Sequence, residues 1–344
     1  MPASSPRYRS ASLLSLIALL LLAATARTDA VIYPFTTPVF GLATAPDGSL
    51  VAADAGIGIV EIRKGVGSVF AQLPGVTDVA PIGRSDMFAI TSTAFNGDGK
   101  MYRVSRGSRR EMADLLDFET RVNPDGGDID SDPFDVEALN GGSAVVADAA
   151  ANALLIVDQR GTVDWIATLP TESVPTDNAK KINDCPQSGR GICFAPDQLV
   201  AQAVPTSVAI GPDGSYYVGE LKGFPAPKNR SRIWKIDAGA RHAVCGSSPS
   251  CHLLTSNFTS VIDLTFGPNG KLYVVELDTE SWLAMEAQKG AGGAVSACNA
   301  SATSCTKIAS GILMSTAATV GQDGTVWVVK NALIPGGADV VPIN

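Results

Sequence analysis

The residues of this chain best suited to chemistry are acids. The stretch NPDGGDIDSDPFDV, residues 123–136, sets five aspartates among two glycines and two prolines. Carboxylates and loop carbonyls packed this closely are the donors that Ca²⁺ takes, at about six to eight oxygens per ion. The stretch is not an EF-hand loop, because Pro133 stands where that loop needs a glycine. Asp125, Asp128, Asp130 and Asp132 are therefore candidate cation ligands, with a solvated turn as the competing reading.

Further acids recur at fixed distances from glycines. Asp54, Asp148, Glu220 and Glu276 each fall six residues after a glycine. Asp135, Ser207 and Asp263 fall seven before one, and Asp78 holds the matching place in a less regular copy. Carboxylates can work as general acids and bases or hold a metal that activates water. Histidine-based nucleophilic catalysis is excluded. The chain has two histidines, His242 and His252, ten residues apart in a cysteine-bearing hairpin, and it has no G-x-S-x-G, H-E-x-x-H or phosphate-loop motif.

The glycines belong to six copies of one pattern, in which an apolar strand, a Gly/Pro/Asp turn and a second apolar strand follow each other. Examples are FGLATAPDGSLVAAD (40–54), FDVEALNGGSAVVAD (134–148), TSVAIGPDGSYYVGE (206–220) and IDLTFGPNGKLYVVE (262–276); the others begin at Val76 and Thr316. Asp-Gly and Asn-Gly favour hairpins because they tolerate positive φ. Third strands such as GIVEIR (58–63) and GAVSAC (293–298) follow, and in most copies a fourth, as in TVDWIATL (162–169). Four antiparallel strands repeated six times predict an all-β fold, a six-bladed β-propeller. Blades fall near 39–73, 76–120, 133–170, 205–257, 261–312 and 315–344, within one domain spanning 31–344. The last copy ends after its third strand, so VIYPFTT (31–37) is expected to supply the outer strand of the final blade and remove a free edge.

In a blade the first strand starts, and the second ends, on the same face of the disc. Asp78, Asp135, Asp263, Glu220 and Glu276 are therefore expected to ring one mouth of the central channel, with segment 123–136 crossing that face. Two ionised carboxylates 4 Å apart repel by roughly 4 kcal/mol at an effective dielectric of about 20, so protons, backbone N–H groups, Lys330 or a cation must offset them. For Asp54 and Asp148, in short loops, capping of a neighbouring loop is the favoured role. Two long loops, 221–232 and 277–293, bring Phe224, Lys228, Trp282 and Met285 to the same face. They are either binding loops or blade covers.

Residues 1–26 read as a secretory leader. Arg7 and Arg9 precede the run LLSLIALLLLAA (13–24), and Ala24-Thr25-Ala26 fits a small-x-small cleavage site. A secreted, monomeric protein is expected, with no membrane span in the mature chain. Without the leader 24 basic side chains face 34 acidic ones, a net charge of −10, which argues against a nucleic-acid partner. Six cysteines form three close pairs, Cys185/Cys193, Cys245/Cys251 and Cys298/Cys305. Local disulfides are the economical assignment, and bridges closing such short segments are expected to stiffen loops rather than create the fold. The alternative is zinc on His242, Cys245, Cys251 and His252. Asn229, Asn257 and Asn299 head N-x-S/T sequons and are candidate glycan carriers.

The segments VPTSVAIGPDGSYYVGELKGFP (204–225) and FETRVNPDGGDIDSDPF (118–134) resemble the ScyD/ScyE family, which is similar to NHL-repeat propellers and is named for proteins encoded with the scytonemin pathway. The resemblance spans nearly the whole mature chain and implies the six-bladed fold. It brings no catalytic residue with it, and this chain carries Asp132 and Phe134 where the family more often has Asn and Tyr. The functional expectation is a secreted binding or scaffold protein whose acidic face receives a small molecule, a cation such as Ca²⁺, or a protein. The alternative is a divalent-metal-dependent hydrolase of the gluconolactonase-like type, with Glu220, Asp263 and Glu276 around the metal.

Overall fold

The computed structural model describes residues 33–36, 38–83, 85–187 and 191–343; the leader expected over 1–26 lies outside them. The turn chemistry acts as its residues dictate. Asp47, Asp213, Asn269 and Asp323 each accept, through a side-chain oxygen, the N–H two residues on, at 3.0–3.1 Å. The glycines that follow, Gly48, Gly214, Gly270 and Gly324, sit at φ between 71° and 85°, where a side chain would be strained.

Six blades result, the strands of each running antiparallel and in chain order from an inner to an outer strand. Their inner strands are Val39–Thr44, Val76–Pro81, Pro133–Leu139, Pro205–Ile210, Val261–Phe266 and Ala318–Val320. The apolar core is divided the same way, into six clusters that each fill a seam between neighbouring blades. The fold is the six-bladed β-propeller that the repeat predicts. No helix among the described residues is long and apolar enough to cross a membrane.

The ring closes between the sixth and first blades. In the segment 31–37, Val31, Ile32 and Thr37 lie outside the described residues, and Tyr33–Thr36 makes no ladder. Phe35 is instead buried in the seam with Val329 and Val340. Thr36 donates its backbone N–H to Asp54 at 2.6 Å, and Val39 N–H reaches Ala332 O at 3.1 Å.

Local features depart from the repeat. RREMADLLDFE (109–119) is half strand, Ser108–Asp114, and half helix, α1, Leu115–Val122. Asp114 switches the chain from one to the other by accepting Asp117 N–H at 2.8 Å. Between the third and fourth blades, Glu172–Pro175 pairs with Gln198–Ala201 around helix α2, Asp177–Ile182. The outer hairpin of the fourth blade crosses to the third, where Ala243–Val244 adds a fifth strand.

All three disulfides form as paired by proximity: Cys185 with Cys193, Cys245 with Cys251, and Cys298 with Cys305, at Cα–Cα distances of 5.3, 5.1 and 4.0 Å. Two of the bridges reach into the elements that flank their loops. Cys193 lies in the short helical turn Gly191–Phe194, where it is half-buried. Cys305 is exposed and opens the outer strand Cys305–Ile312, directly opposite the buried Cys298 that ends the strand beside it. That bridge therefore joins the ends of two paired strands, because the six residues between its cysteines are just enough to turn the chain back on itself. Cys245 and Cys251 are unavailable to zinc, while His242 meets Asp164 at 2.7 Å and His252 meets Asp237 at 3.3 Å. The asparagines of the three sequons are exposed.

Candidate functional site in the central channel

Five of the six inner strands carry a β-bulge in the same place. The register slips at Phe40, Thr77, Phe134, Thr206 and Ile262. A bulge adds one unpaired residue and re-aims its neighbour. The neighbours are Gly41, Asp135, Ser207 and Asp263, the residues seven before the turn glycine, and Asp78 at the matching place in its less regular copy. Asp78, Asp135 and Asp263 thereby face a central cavity of about 250 Å³.

The aspartates also join the blades. Asp78 accepts Val136 N–H of the next inner strand at 3.0 Å, Asp135 accepts Val208 N–H at 2.6 Å, and Asp263 accepts Ala318 N–H at 2.6 Å. Threonines join the seams in the other sense. Thr77, Thr206 and Thr316 donate their hydroxyls to Pro133 O, Val261 O and Val39 O at 2.7, 2.8 and 2.6 Å. Among the described residues only the first seam has neither device. There Gly41 leaves room for Asp78, since a Cβ on Gly41 would stand 2.1 Å from Asp78 Oδ1 and 2.7 Å from its Cα. Gly41→Ala is accordingly expected to destabilise the protein by about 1–3 kcal/mol, as overpacking does, with the loss read as a lower urea midpoint at unchanged m-value.

A fourth acid shares the cavity. Glu137 lies two residues after Asp135, on the same strand face, and lines the channel. Sequence reasoning overlooked it, although the two-residue period of a strand was the signal. Burial, with Asp78 and Asp263 nearby, pushes Glu137 up to about 8. Burial raises Asp263 to about 7 and Asp78 to about 6, the latter against opposing hydrogen bonds from Asp135 and backbone N–H groups. Asp135 is held well above the usual carboxylate range by burial and by Asp78. The hydrogen bond between Asp78 and Asp135 requires a proton on one of them.

The acids that end second strands are placed differently. Asp54 caps Thr36 and Gly56, and Asp148 takes Ser131 Oγ, Asp132 N–H and Ala151 N–H at 2.6, 2.8 and 3.2 Å. Glu276 accepts Thr259 N–H at 2.7 Å. Glu220 receives Lys222 Nζ at 2.6 Å, Arg232 Nε at 2.8 Å and Trp234 Nε1 at 2.7 Å. The channel therefore carries the first-strand acids alone. Glu220, Asp263 and Glu276 do not form a metal trio, because Glu220 and Glu276 are turned onto loop and strand partners that already occupy them. Among the described residues no three His, Cys, Asp or Glu side chains converge closely enough to hold a metal ion. Lys330 faces Asp339 at 3.3 Å and neutralises none of the channel acids.

The mouth expected to be acidic is apolar. Phe40 packs on Phe95 and Phe134, with ring centroids 4.7 and 5.1 Å apart. Ile262, Trp282 and Met285 belong to the same cluster as Phe134. The two long loops act as covers here: Trp282 Nε1 donates to Lys222 O at 2.9 Å and Lys228 meets Glu280 at 2.5 Å. Asn178 of α2 ties them together through Ala226 O and Glu280 O. Phe224 stays 47% exposed. In the 123–136 loop, Asp125 accepts Gly127 N–H and Asn152 Nδ2, Asp130 caps Ser131 N–H and Asp132 accepts the Ser92 hydroxyl. Asp128 is exposed.

No family model matches the chain, and no curated protein matches it. Solved structures do. A calcium-binding protein, regucalcin, from Agrobacterium tumefaciens aligns at 13% identity over 90% of this chain and 91% of its own, with a TM-score of 0.56. A gluconolactonase from Xanthomonas campestris aligns at 12% identity over 93% and 92%, with a TM-score of 0.55. Virginiamycin B lyase from Staphylococcus aureus aligns at 14% identity over 85% and 78%, with a TM-score of 0.50. These likenesses show a shared six-bladed propeller fold.

Proposed function

We propose that this chain is an exported, cation-binding propeller of the ScyD/ScyE kind, whose central channel takes one hard divalent cation, Ca²⁺ foremost, in exchange for protons. One observation carries the reading. Asp78, Asp135, Glu137 and Asp263 share a cavity with no lysine, arginine or histidine among its lining residues. Carboxylates so enclosed are neutralised by protons or by a cation, and oxygen donors alone suit Ca²⁺. Each aspartate already spends one oxygen on a backbone N–H and, among the described residues, no three acids converge on one point, so the ion would touch at most two carboxylates and reach the others through water. The calcium-binding neighbour of the same fold supports the reading, and the three disulfides suit an oxidising compartment.

Titration calorimetry of metal-stripped protein with CaCl₂, run at pH 7 in two buffers of different ionisation enthalpy, tests this. Binding accompanied by proton release is expected, weakened roughly tenfold or more by Asp135→Asn or Glu137→Gln. Absence of binding, or equal affinity in both variants, would remove the proposal.

A second reading, hydrolysis of a small lactone or ester, is favoured by the elevation of Glu137 to about 8, near the range where a general acid or base works best. The gluconolactonase neighbour supports it by fold alone. The chemistry would then run on the channel acids. A lactone and ester panel with Ca²⁺ present separates the two: turnover lost in Glu137→Gln establishes the hydrolase, and silence leaves binding.

A further inference from the structure

Three buried oxygens toward the C-terminal end of α1 have no partner. Glu119 is 1% exposed, and neither Oε1 nor Oε2 makes a hydrogen bond. Asn123 caps the end of α1 in the left-handed region, gives its own N–H to Glu119 O at 2.9 Å and donates its side-chain amide to Gly127 O at 2.9 Å. Its Oδ1 is buried and unpartnered as well. The charges that act on Glu119 are those of Asp148, Asp125 and Asp130, all acidic. Arg121, on the same helix, is engaged by Asp117 at 2.9 Å.

A buried carboxylate lacking donor and counter-charge is costly. A proton on Glu119 would let one carboxyl oxygen donate, at best to Asn123 Oδ1, and would leave the other carboxyl oxygen without a partner. A cation would satisfy all three acceptors at once and would be drawn by the three neighbouring acids. We propose that Glu119 and Asn123 form a calcium site at the junction of the second and third blades, separate from the channel, with the 123–132 loop folded over it. Glu119 would bind through both carboxylate oxygens and Asn123 through its amide oxygen, with water completing the shell. So few formal charges place the affinity in the weak class of extracellular modules, about 10⁻⁴–10⁻³ M.

The site gives the aspartate-rich loop a purpose that its own hydrogen bonds do not. Asp125, half-buried, and Asp130, exposed, each spend an oxygen on turns of the backbone, and their charges act on Glu119.

Equilibrium dialysis of the full chain against ⁴⁵Ca²⁺ at millimolar concentration, with thermal unfolding in the same buffers, tests the site. Glu119→Gln is expected to bind roughly one equivalent fewer than the parent and to lose the millimolar part of the calcium-dependent rise in Tm. Proton release from the channel should stay unchanged. Conversely, Asp135→Asn should keep the weak equivalent even if the channel binds nothing, so the two proposals fail separately. If Glu119→Gln does not fold, Asn123→Gly, which preserves the left-handed helix end, carries the same test. Unchanged stoichiometry and an unchanged calcium-dependent Tm in whichever variant folds would overturn the site.

Discussion

Glu220→Gln is expected to lower the free energy of unfolding by about 3–5 kcal/mol, the cost of removing one partner from a buried ion pair. Glu220 and Lys222 both have fully buried side chains, 2.6 Å apart, and Arg232 stands 2.8 Å from the same carboxylate. Glutamine would leave Lys222 and Arg232 facing only Glu172, at 3.2 and 3.7 Å. It would also weaken the acceptor that Trp234 uses. Guanidinium unfolding monitored by tryptophan fluorescence measures the loss. The paired change Glu220→Gln with Lys222→Met should recover part of it, because no uncompensated lysine then remains in the core. A single variant within about 1 kcal/mol of the parent would show that water reaches the cluster and that the charges are not desolvated.

The same cluster shows where sequence reading stops. The repeat of Asp-Gly turns and apolar strands made the six blades legible, because turn chemistry and strand period are local properties. The placing of Glu220 was not, since it depends on Lys222 of the following loop and on Arg232 and Trp234 of the next strand turning back onto it, and no repeat predicts that. Both acidic rungs are equally visible as spacings from a glycine. What separates them is the bulge at Phe40, Thr77, Phe134, Thr206 and Ile262, which turns the following residue into the channel. A bulge leaves no mark in composition. The identity of the bulged residues carries a second consequence: Phe40, Phe134 and Ile262 project their bulk at the mouth, so the side expected to be acidic is roofed with apolar groups. Glu119 was hidden for a different reason. It reads as one polar position of a short amphipathic helix, and its burial depends on the packing of that helix between blades, which the local sequence does not display.

In metal-free buffer, stability is expected to fall as pH rises from about 5 to about 8. The acids of the channel have folded-state values above their unfolded ones: Asp78 at about 6, Asp263 at about 7 and Glu137 at about 8, against 3.8, 3.8 and 4.5. The folded protein therefore binds more protons than the unfolded chain across this window, and stability must decline with pH there. It is fully present below the unfolded values and is lost as pH passes through the folded ones. One pK unit is worth about 1.4 kcal/mol per group, so Glu137 alone represents on the order of 5 kcal/mol. The four groups do not add, because the charge of Asp78 is among the causes of the other three shifts. Chemical denaturation at fixed pH steps reads the slope directly, and Asp135→Asn should flatten it by removing one charge from the set. A channel that takes Ca²⁺ in place of protons makes a further demand: millimolar CaCl₂ should restore at pH 8 what was lost, and should matter little at pH 5, where protons already hold the site. A flat profile without metal would mean that the carboxylates ionise at no cost, which a cavity lined by acids and lacking any basic side chain gives no means of achieving.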